Sequence, residues 1–151
     1  MINILIDNRE TLLKDYFTKY NETQQKTKYN FTFCNLDLGD IIIKKDENII
    51  LIIERKTIKD LFSSIRDGRY KEQKLRLINN FCKNQILYLV EDPIKINNDK
   101  YYKNYKSIVS GALVNTIYRD KINVLRSFSI EETIDFILLF CKKIENNLEF
   151  F

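Results

Sequence analysis

The sequence predicts a single α/β domain in which a mixed central β-sheet is flanked by helices. Short runs rich in Ile, Leu, Val and Phe alternate along the chain with longer segments of helical periodicity, and this alternation is typical of α/β folds. The length of 151 residues and the 44% content of hydrophobic residues are enough for one well-buried core. No internal repeat or proline-rich linker divides the chain, so we expect one domain over residues 1–151.

Taken in order, the elements begin with a short apolar strand directly after Met1. This stretch has no basic residues before it and does not have the pattern of a signal peptide. No apolar run approaches the ~20 residues that span a bilayer, so we expect no membrane association. The predicted strands are 2–6, 30–35, 41–45, 49–54, 85–90 and 122–125. The predicted helices are 11–20, 57–65, 68–83, 103–119 and 130–146.

The composition excludes several classes of chemistry. The chain contains no histidine, so it cannot form a Ser-His-Asp triad, a Cys-His dyad or a histidine-ligated zinc site. Carboxylates, lysines, tyrosines or a bound metal would have to perform any catalysis. The three cysteines, Cys34, Cys82 and Cys141, are scattered and form no CxxC pair, which is typical of buried free thiols in a reducing compartment. We therefore expect an intracellular protein.

The most informative segment is the run 39–56. Two apolar strands flank the polar residues 46–48, which predicts a β-hairpin with a short loop. If the turn centres on the middle residue of this loop, Asp40 lies directly opposite Glu54. The Cβ atoms of the two carboxylates are then roughly 5 Å apart.

This geometry suits a divalent metal site. The alternation of side chains along a strand places Lys56 on the same face as Glu54 and points Arg55 to the other face. Two facing carboxylates repel one another unless a cation neutralises them, and Mg²⁺ binds carboxylates together with waters. Such a metal activates a water for attack on a phosphodiester, and a nearby lysine helps to orient or deprotonate it. The alternative is that Asp40 and Glu54 only end their strands as solvated surface charges.

The hairpin and the residues after it resemble the GD…ERKxxxD signature of the XPF/Mus81 (ERCC4-type) structure-specific endonucleases. The matching residues are Gly39-Asp40 and Glu54-Arg55-Lys56-Thr57-Ile58-Lys59-Asp60. The resemblance implies a restriction-endonuclease-like core of the PD-(D/E)XK type, with a mixed central sheet flanked by helices. It also implies catalysis with Mg²⁺ or Mn²⁺ and a branched or flapped DNA substrate, as in DNA repair and recombination.

Further matches follow in the order that this family would have them. The segment 7–10 resembles its DxRE element, and the segment 60–73 resembles its DLxxSxxxGRxxxQ stretch. The segment 111–116, with Val124 and the pair 132–133, is similar to the end of the family's nuclease domain. The resemblance therefore covers essentially the whole chain.

The resemblance also implies a role for each matching side chain. The residues expected around the metal are Asp7, Asp40 and Glu54. Lys56 would serve the attacking water, and Arg9 and Arg55 would belong to the same electropositive site. Asp60 has two possible roles, because Thr57-x-x-Asp60 also has the pattern of a capping box at the start of a helix.

The helix predicted at 68–83 offers a DNA-binding face. Between residues 66 and 83 there are six basic and two acidic residues, and this net charge of +4 equals that of the whole chain. One polar stripe of this helix consists of Arg69, Gln73, Arg76, Asn80 and Lys83. The opposite side consists of Leu75, Leu77, Ile78, Phe81 and Cys82. An ordinary solvated face is the alternative, but the position directly after the ERK strand favours contacts to DNA phosphates by Arg69, Gln73, Arg76 and Lys83.

The last predicted helix carries more apolar residues than one core-facing stripe needs. The stripe consists of Ile130, Ile134, Ile137, Leu138, Cys141, Ile144 and Leu148, while Phe136, Leu139 and Phe140 lie off it. The excess surface is either a homodimer or heterodimer interface or is covered by the helix at 103–119. The family resemblance favours dimerisation through the nuclease domain.

Two functions remain open from the sequence. The first is a metal-dependent endonuclease that hydrolyses phosphodiester bonds in flap, fork or junction DNA. The second is a non-catalytic DNA-binding or scaffolding subunit of a nuclease heterodimer. The chain keeps every residue of the signature, which argues against the second, and it shows neither the helix-hairpin-helix nor the helicase module that many relatives carry.

Overall fold

The computed structural model describes residues 1–23, 29–92 and 100–146, and within them a six-stranded sheet lies between two layers of helices. The strands are β1 (Ile2–Asp7), β2 (Asn30–Cys34), β3 (Ile41–Lys45), β4 (Asn48–Thr57), β5 (Ile86–Glu91) and β6 (Asn123–Ser127). The helices are α1 (Thr11–Thr23), α2 (Ile58–Arg66), α3 (Arg69–Asn80), α4 (Lys100–Tyr118) and α5 (Ile130–Glu145), with a single 3-10 turn over Lys83–Gln85. Each strand and helix predicted from the sequence is confirmed. No helix in these ranges is long and apolar enough to cross a bilayer.

The sheet is mixed, as predicted, with the strand order β2-β1-β3-β4-β5-β6. Strand β3 is antiparallel to both of its neighbours, and the other neighbouring strands pair in parallel. The carboxyl ends of five strands and the start of β3 therefore meet at one edge of the sheet. Asp7, Asp40, Glu54 and Glu91 all lie at this edge.

Alternating side chains of the sheet fill two separate cores. The front face, covered by α2, α3 and α4, buries Ile42, Ile52, Ile86, Tyr88 and Val90 against Leu61, Leu77 and Leu113. The rear face, covered by α1 and α5, buries Ile4, Ile6, Ile41, Ile43, Ile53 and Leu89 against Leu13, Phe17, Ile134 and Ile137. Full burial of each such side chain stabilises the fold by about 1.5–3 kcal/mol. Both faces of β4 are therefore covered, as its unbroken apolar run indicates.

The β3–β4 hairpin has the predicted register at the end that carries Asp40 and Glu54, but its turn is shorter than predicted. Near the turn, Lys45 pairs with Asn48 across a two-residue loop, in which Asp46 has a positive φ of 54°. A β-bulge then shifts the register by one residue, and Ile41 pairs with Ile53. The bulge thus restores the pairing that a three-residue turn would have given, and Asp40 faces Glu54 as predicted.

Gly39 is required by the close approach of β4. Its φ of +75° is left-handed, and a Cβ atom at this position would lie 2.5 Å from Cγ1 of Ile52. Any side chain would therefore clash with the front core as well as strain the backbone. The glycine before Asp40 in the signature thus has a structural cause.

Helix α3 ends at Asn80, which changes part of the predicted DNA-binding face. Phe81 is extended, with φ −136° and ψ 151°, so Lys83 lies in the 3-10 turn outside the helical stripe. The same early end leaves Cys82 exposed, contrary to the prediction of a buried thiol, whereas Cys34 is half-buried and Cys141 is buried. Leu75, which was predicted to lie on the apolar side, is 51% exposed. Its neighbour Lys74 is buried instead.

Helix α5 uses most of its apolar surface inside the domain. Phe136 and Phe140 pack against the rear core together with Ile130, Leu138 and Ile144, whereas Leu139 is half-exposed. The interpretation that the helix at 103–119 covers α5 is wrong, because α4 lies on the front face. Leu148 lies outside the described residues.

Candidate active site

A cleft of about 390 Å³ opens at the edge of the sheet where β3 begins and β4 ends. It is bounded by the loop before β3 on one side and by α2 and α3 on the other. Nine of the eleven side chains predicted for catalysis or DNA binding line it: Arg9, Asp40, Glu54, Arg55, Lys56, Asp60, Arg69, Gln73 and Arg76. The other two, Asp7 and Lys83, are not among the lining residues.

The backbone of Asp40 is fixed by the strands on both sides of it. Its N–H donates to the carbonyl oxygen of Ile53 at 2.9 Å, and its carbonyl oxygen accepts from the N–H of Asp7 at 2.9 Å. One carboxylate oxygen, Oδ2, accepts from the backbone N–H of Arg55 at 2.8 Å. Oδ1 has no hydrogen-bond partner in the described part of the chain. Asp40 is therefore held rigidly and keeps one oxygen for a ligand.

Glu54 and Lys56 share the front face, as the strand alternation predicts. Lys56 Nζ lies 3.6 Å from Oε1 of Glu54, and both side chains are largely buried. Burial raises the pKa of Glu54 to about 7, repulsion by Asp40 adds to this, and Lys56 opposes it. The pKa of Asp40 is also raised, chiefly by burial, although the hydrogen bond from the Arg55 backbone lowers it. The two carboxyls thus lack the positive charge that would keep both ionised at neutral pH.

A divalent cation would supply that charge. Asp40 and Glu54 offer hard oxygen donors, which Mg²⁺ and Mn²⁺ accept together with waters. Within the described ranges, no group of three or more acidic or cysteine side chains lies close enough to hold a metal without other ligands. The fit is therefore a two-carboxylate site completed by water or by the substrate.

Asp7 lies close enough to Asp40 to repel its carboxylate, but it is not among the residues that line the cleft, and its own oxygens already have partners. Its Oδ1 accepts from the backbone N–H and Nε of Arg9 at 2.8 and 2.7 Å, and its Oδ2 accepts from Leu36 N–H at 2.9 Å. These hydrogen bonds, that of the Arg9 side chain first, hold the pKa of Asp7 near 2. Asp7 therefore anchors Arg9 and the loop before β3, and Arg9 itself lines the cleft.

Glu10 was not predicted as a site residue, yet it lines the cleft. Burial raises its pKa to about 7, and repulsion by Asp40 contributes. Its Oε2 accepts from Nη1 of Arg55 at 2.8 Å. The sequence did contain a signal for Glu10, because it is the glutamate of the DxRE element. Only the aspartate and the arginine of this element, Asp7 and Arg9, were predicted to have a role.

Arg55 points to the rear face, as predicted, and its guanidinium group is fully engaged there. Nε and Nη2 donate to the two carboxylate oxygens of Glu91 at 3.0 and 2.6 Å, while Nη1 donates to Glu10. At the edge of the sheet it also borders the cleft. Its positive charge is therefore balanced by two carboxylates of the protein rather than offered to a ligand.

Asp60 lies in the first turn of α2 and borders the cleft. The capping prediction is confirmed for Thr57, whose side chain accepts from the backbone N–H of Asp60 at 3.2 Å. The Asp60 carboxylate is exposed and makes no hydrogen bond in the described structure. It is thus available to the cleft, and the cap uses only its backbone.

The outer wall of the cleft is basic. Arg69 Nε contacts Oδ2 of Asp67 at 2.7 Å, and Arg76 Nη2 donates to the carbonyl oxygen of Asp37 at 3.4 Å, so both guanidinium groups are held near the entrance. Gln73 lies between them, and its Oε1 is buried with no hydrogen-bond partner among the described residues. These three side chains form the part of the predicted DNA-binding stripe that the structure keeps together.

Lys83 and Lys74 do not contribute to this wall. Gln85, two residues after Lys83 in the 3-10 turn, donates to the carbonyl oxygen of Ile49 at 2.8 Å, which places the turn at the start of β4. Glu54 lies five residues further along β4, about 16 Å away at the rise of a strand. Lys74 is 7% exposed and forms a 2.7 Å ion pair with Asp120. The sequence-based charge count of this helix therefore overestimates the charge available to DNA.

Comparisons with known proteins find a matching family and several relatives. Residues 6–140 match the model of the ERCC4 domain. The chain is 36% identical over 159 residues to a probable crossover junction endonuclease mus81 of Dictyostelium discoideum, covering 91% of this chain and 17% of that protein. It is 32% identical over 136 residues to the ERCC4 domain-containing protein EP364R of an African swine fever virus isolate, covering 84% of this chain and 35% of that protein. The chain thus spans a minor part of each relative.

The fold is also similar to a solved structure described as XPF from Aeropyrum pernix in complex with DNA. The TM-score is 0.64 at 20% sequence identity, over 85% of this chain and 57% of that one. At this identity the likeness concerns the fold. It confirms the mixed α/β fold that the sequence predicts.

Proposed function

The chain belongs to the ERCC4 domain family, and from this premise we propose that it is a divalent-metal-dependent endonuclease that hydrolyses phosphodiester bonds in branched DNA. One observation carries the proposal. Asp40, Glu54 and Lys56 share one cleft, and the wall opposite them carries Arg69 and Arg76. This arrangement combines a metal-binding pair, a group that can act on water and cations for the phosphate backbone.

Each side chain has a distinct task in this proposal. Asp40 and Glu54 would hold Mg²⁺ or Mn²⁺, which supplies Lewis-acid stabilisation of the phosphate and an acidified water when bound. The Lys56 ammonium group would orient the attacking water by hydrogen bonding, the proton of that water would pass to solvent, and Asp60 faces the same space from α2. Arg9 contributes positive charge near the scissile phosphate, and Asp7 acts through Arg9 rather than as a metal ligand.

The basic wall would bind the DNA backbone without reading its sequence. Arg69 and Arg76 would contact phosphates, and the buried Oε1 of Gln73 would accept a hydrogen bond from an ordered water that bridges to the DNA backbone. We propose flaps, forks or junctions as substrates, as in DNA repair and recombination. The name of the Dictyostelium relative, a probable crossover junction endonuclease, supports this choice.

The deciding experiment measures cleavage of labelled flap, fork, junction and plain duplex DNA with Mg²⁺ or Mn²⁺. Wild type should cut the branched substrates, and Asp40→Asn should lose at least about 10²-fold in rate. Asp135→Asn, an exposed acid on α5, is the matched control and should cut normally. Cleavage at the wild-type rate by Asp40→Asn would contradict the site.

The same experiment separates the enzyme from a non-catalytic scaffolding subunit. Both functions predict DNA binding that weakens when Arg69 or Arg76 is replaced by alanine, with a salt slope reduced by about one per residue. Lys83→Ala is the control, because this lysine lies at the other end of β4. Wild-type protein that binds branched DNA but cuts none of it would favour the scaffold.

We also propose that the domain pairs with a second ERCC4 domain through the outer face of α4. Val114, Ile117 and Tyr118 are 60%, 52% and 76% exposed on this helix, which is more apolar surface than a solvated helix usually presents. Sedimentation should give a dimer that Val114→Glu dissociates, whereas Leu75→Glu on α3 leaves it intact. A monomer at high concentration would count against pairing with itself.

The expected location inside the cell is likewise a proposal. It is supported by three free cysteines, of which Cys82 is exposed, because an exposed free thiol suits a reducing compartment. Fractionation of cells that express the chain would test it.

A further inference from the structure

A chain of buried polar groups runs behind the cleft and is not explained by metal or DNA binding. It joins Arg55 at the end of β4, Glu91 at the end of β5, Ser127 at the end of β6 and Thr133 in the first turns of α5. Glu91 is 6% exposed, and Ser127 and Thr133 are completely buried. We call these four residues the rear network.

The hydrogen bonds of the rear network have one direction. Thr133 Oγ1 donates its proton to Oε1 of Glu91 at 2.6 Å. Because that proton is used, the 2.6 Å contact between the two hydroxyls must be a donation from Ser127 Oγ to Thr133 Oγ1. Glu91 in turn accepts from Nε and Nη2 of Arg55. Oε1 of Glu91 thus receives one proton from Thr133 and one from Arg55, which fixes the rotamer of the carboxylate.

Arg55 carries this constraint to the cleft by two routes. Its backbone N–H donates to Oδ2 of Asp40 at 2.8 Å, and its Nη1 donates to Oε2 of Glu10 at 2.8 Å. The guanidinium group clamped by Glu91 therefore holds the carboxylate of Glu10 directly, whereas the peptide that orients Asp40 is also held by its pairing with β5. If the clamp loosens, Glu10 loses a fixed partner, and the carboxylate that repels Asp40 shifts with it.

A purely structural role would not require this arrangement. Apolar side chains of the same volume usually stabilise a buried site as well as an ion pair does. The rear network instead ends on two acidic side chains that line the cleft, and it ties the first turns of α5 to them.

We propose that Glu91 and Thr133 are positioning residues for the active site, acting through Arg55 on Asp40 and Glu10. The proposal rests on the endonuclease function described above. Loss of the Thr133 hydroxyl lets the Glu91 carboxylate turn, and Arg55 then holds Glu10, the acidic neighbour of Asp40, less rigidly. A small displacement of a metal-binding carboxylate slows cleavage much more than it weakens DNA binding.

The test compares Thr133→Val with Thr133→Ser and with Thr116→Val. Thr116 is an equally buried threonine on α4, and its hydroxyl bonds to Tyr70 and Lys74 on the front side. Single-turnover cleavage of flap DNA at saturating protein should fall about tenfold in Thr133→Val, with DNA affinity within about twofold of wild type. Thr133→Ser should restore the rate. Thr116→Val should lose similar resistance to urea without this loss of rate.

A second readout does not depend on cleavage. The Nε–H of Arg55 should give a slowly exchanging nitrogen-15 NMR signal in wild type, which exchanges faster in Thr133→Val and, more mildly, in Ser127→Ala. Ser127→Ala serves if Thr133→Val fails to fold. An unchanged Arg55 signal, or an equal loss of rate in Thr116→Val, would overturn the proposal. If wild-type protein cuts no DNA but the variants still show these changes in the Arg55 signal, the proposed endonuclease function is contradicted and the coupling within the rear network is supported.

Discussion

Two successive residues of β4 meet opposite conditions on the two faces of the sheet. On the front face, Glu54 is buried beside Asp40, and its charge is offset chiefly by Lys56, with a smaller contribution from Arg9. On the rear face, Arg55 has two carboxylates around its guanidinium group. The carboxylates on the front face thus have too little positive charge around them. The guanidinium group on the rear face, in contrast, is paired with two carboxylates.

The difference shows that neighbouring residues of the Glu54-Arg55-Lys56 segment have different roles. An unsatisfied acidic pair binds a cation more strongly than a pair already neutralised by the protein, so the front face is prepared for a ligand at the expense of stability. The rear face provides rigidity. Replacements on the front should therefore affect activity first, and replacements on the rear should affect stability as well.

Loss of Lys56 should give the largest change in activity. Lys56→Ala removes the group proposed to orient the attacking water, so the cleavage rate should fall by about 10²–10⁴-fold. Its partner is a carboxyl that can be protonated, so the free energy of unfolding should change by no more than about 1 kcal/mol. Cleavage assays and urea unfolding measure both quantities, with Lys59→Ala in α2 as the control. A large loss of stability would remove the contrast between the faces.

Loss of Arg55 should give the largest change in stability. Arg55→Ala leaves Glu10 and Glu91 buried without their common cation, so the free energy of unfolding should fall by about 3–5 kcal/mol. Arg66→Ala, at an exposed position in α2, is the control for loss of an arginine. Urea unfolding checks the difference. A fall of less than about 1 kcal/mol would mean that the ion pairs of Arg55 with Glu10 and Glu91 add little to stability.

The stability of the protein should depend on pH because of the buried carboxyl of Glu54 on the front face. The pKa of Glu54 is about 7, above its usual value, so the folded protein holds this proton more tightly than the unfolded chain does. The free energy of unfolding of metal-free protein should therefore fall as pH rises from about 4.5 to about 7. Glu54→Gln should make this fall smaller by about 1–3 kcal/mol.

Unfolding curves at pH 5 and pH 8 measure this effect in both proteins. At pH 8, added Mn²⁺ should stabilise wild type and should stabilise Glu54→Gln much less. Identical pH dependence in the two proteins would show that Glu54 is not held neutral by the cleft.

The smallest effect is expected from Tyr88, which pairs with Glu54 across the sheet. Its hydroxyl is buried and has no hydrogen-bond partner among the described residues. Tyr88→Phe should therefore raise the free energy of unfolding by about 1 kcal/mol. Tyr70→Phe should lower it by a similar amount, because that hydroxyl bonds to Thr116. A loss of stability in Tyr88→Phe would reveal a partner such as a buried water.

The sequence predicted the elements that depend on local patterns. The predicted pairing of Asp40 with Glu54 depends on two apolar strands joined by a short turn, a pattern that is visible in the sequence. A three-residue turn was predicted, but the turn has two residues. The extra residue in the β-bulge compensates for this difference, so the predicted pairing is confirmed although the predicted turn is wrong.

Other features could not be predicted because they depend on distant partners. The burial of Lys74 depends on Asp120, 46 residues later, and no local pattern reveals that pairing. The end of α3 at Asn80 has no glycine or proline to mark it, so Lys83 was placed on the helix. Asp7 is expected at the metal from the family resemblance, and its bonds to Arg9 and Leu36 could not be predicted because they depend on the conformation of two loops.

The bulge in the β3–β4 hairpin also determines where the length of this hairpin can change. Ile50 is the extra residue, so a chain that lacks it could continue the ladder from the Lys44–Ile49 pair directly to the Ile43–Leu51 pair. Asp40 would still face Glu54. Removal of Ile52 instead would shift Glu54 and Lys56 by one position and turn both toward α1 and α5. The hairpin should thus tolerate a deletion at the bulge itself, whereas a deletion between the bulge and Glu54 would take Glu54 and Lys56 out of the cleft.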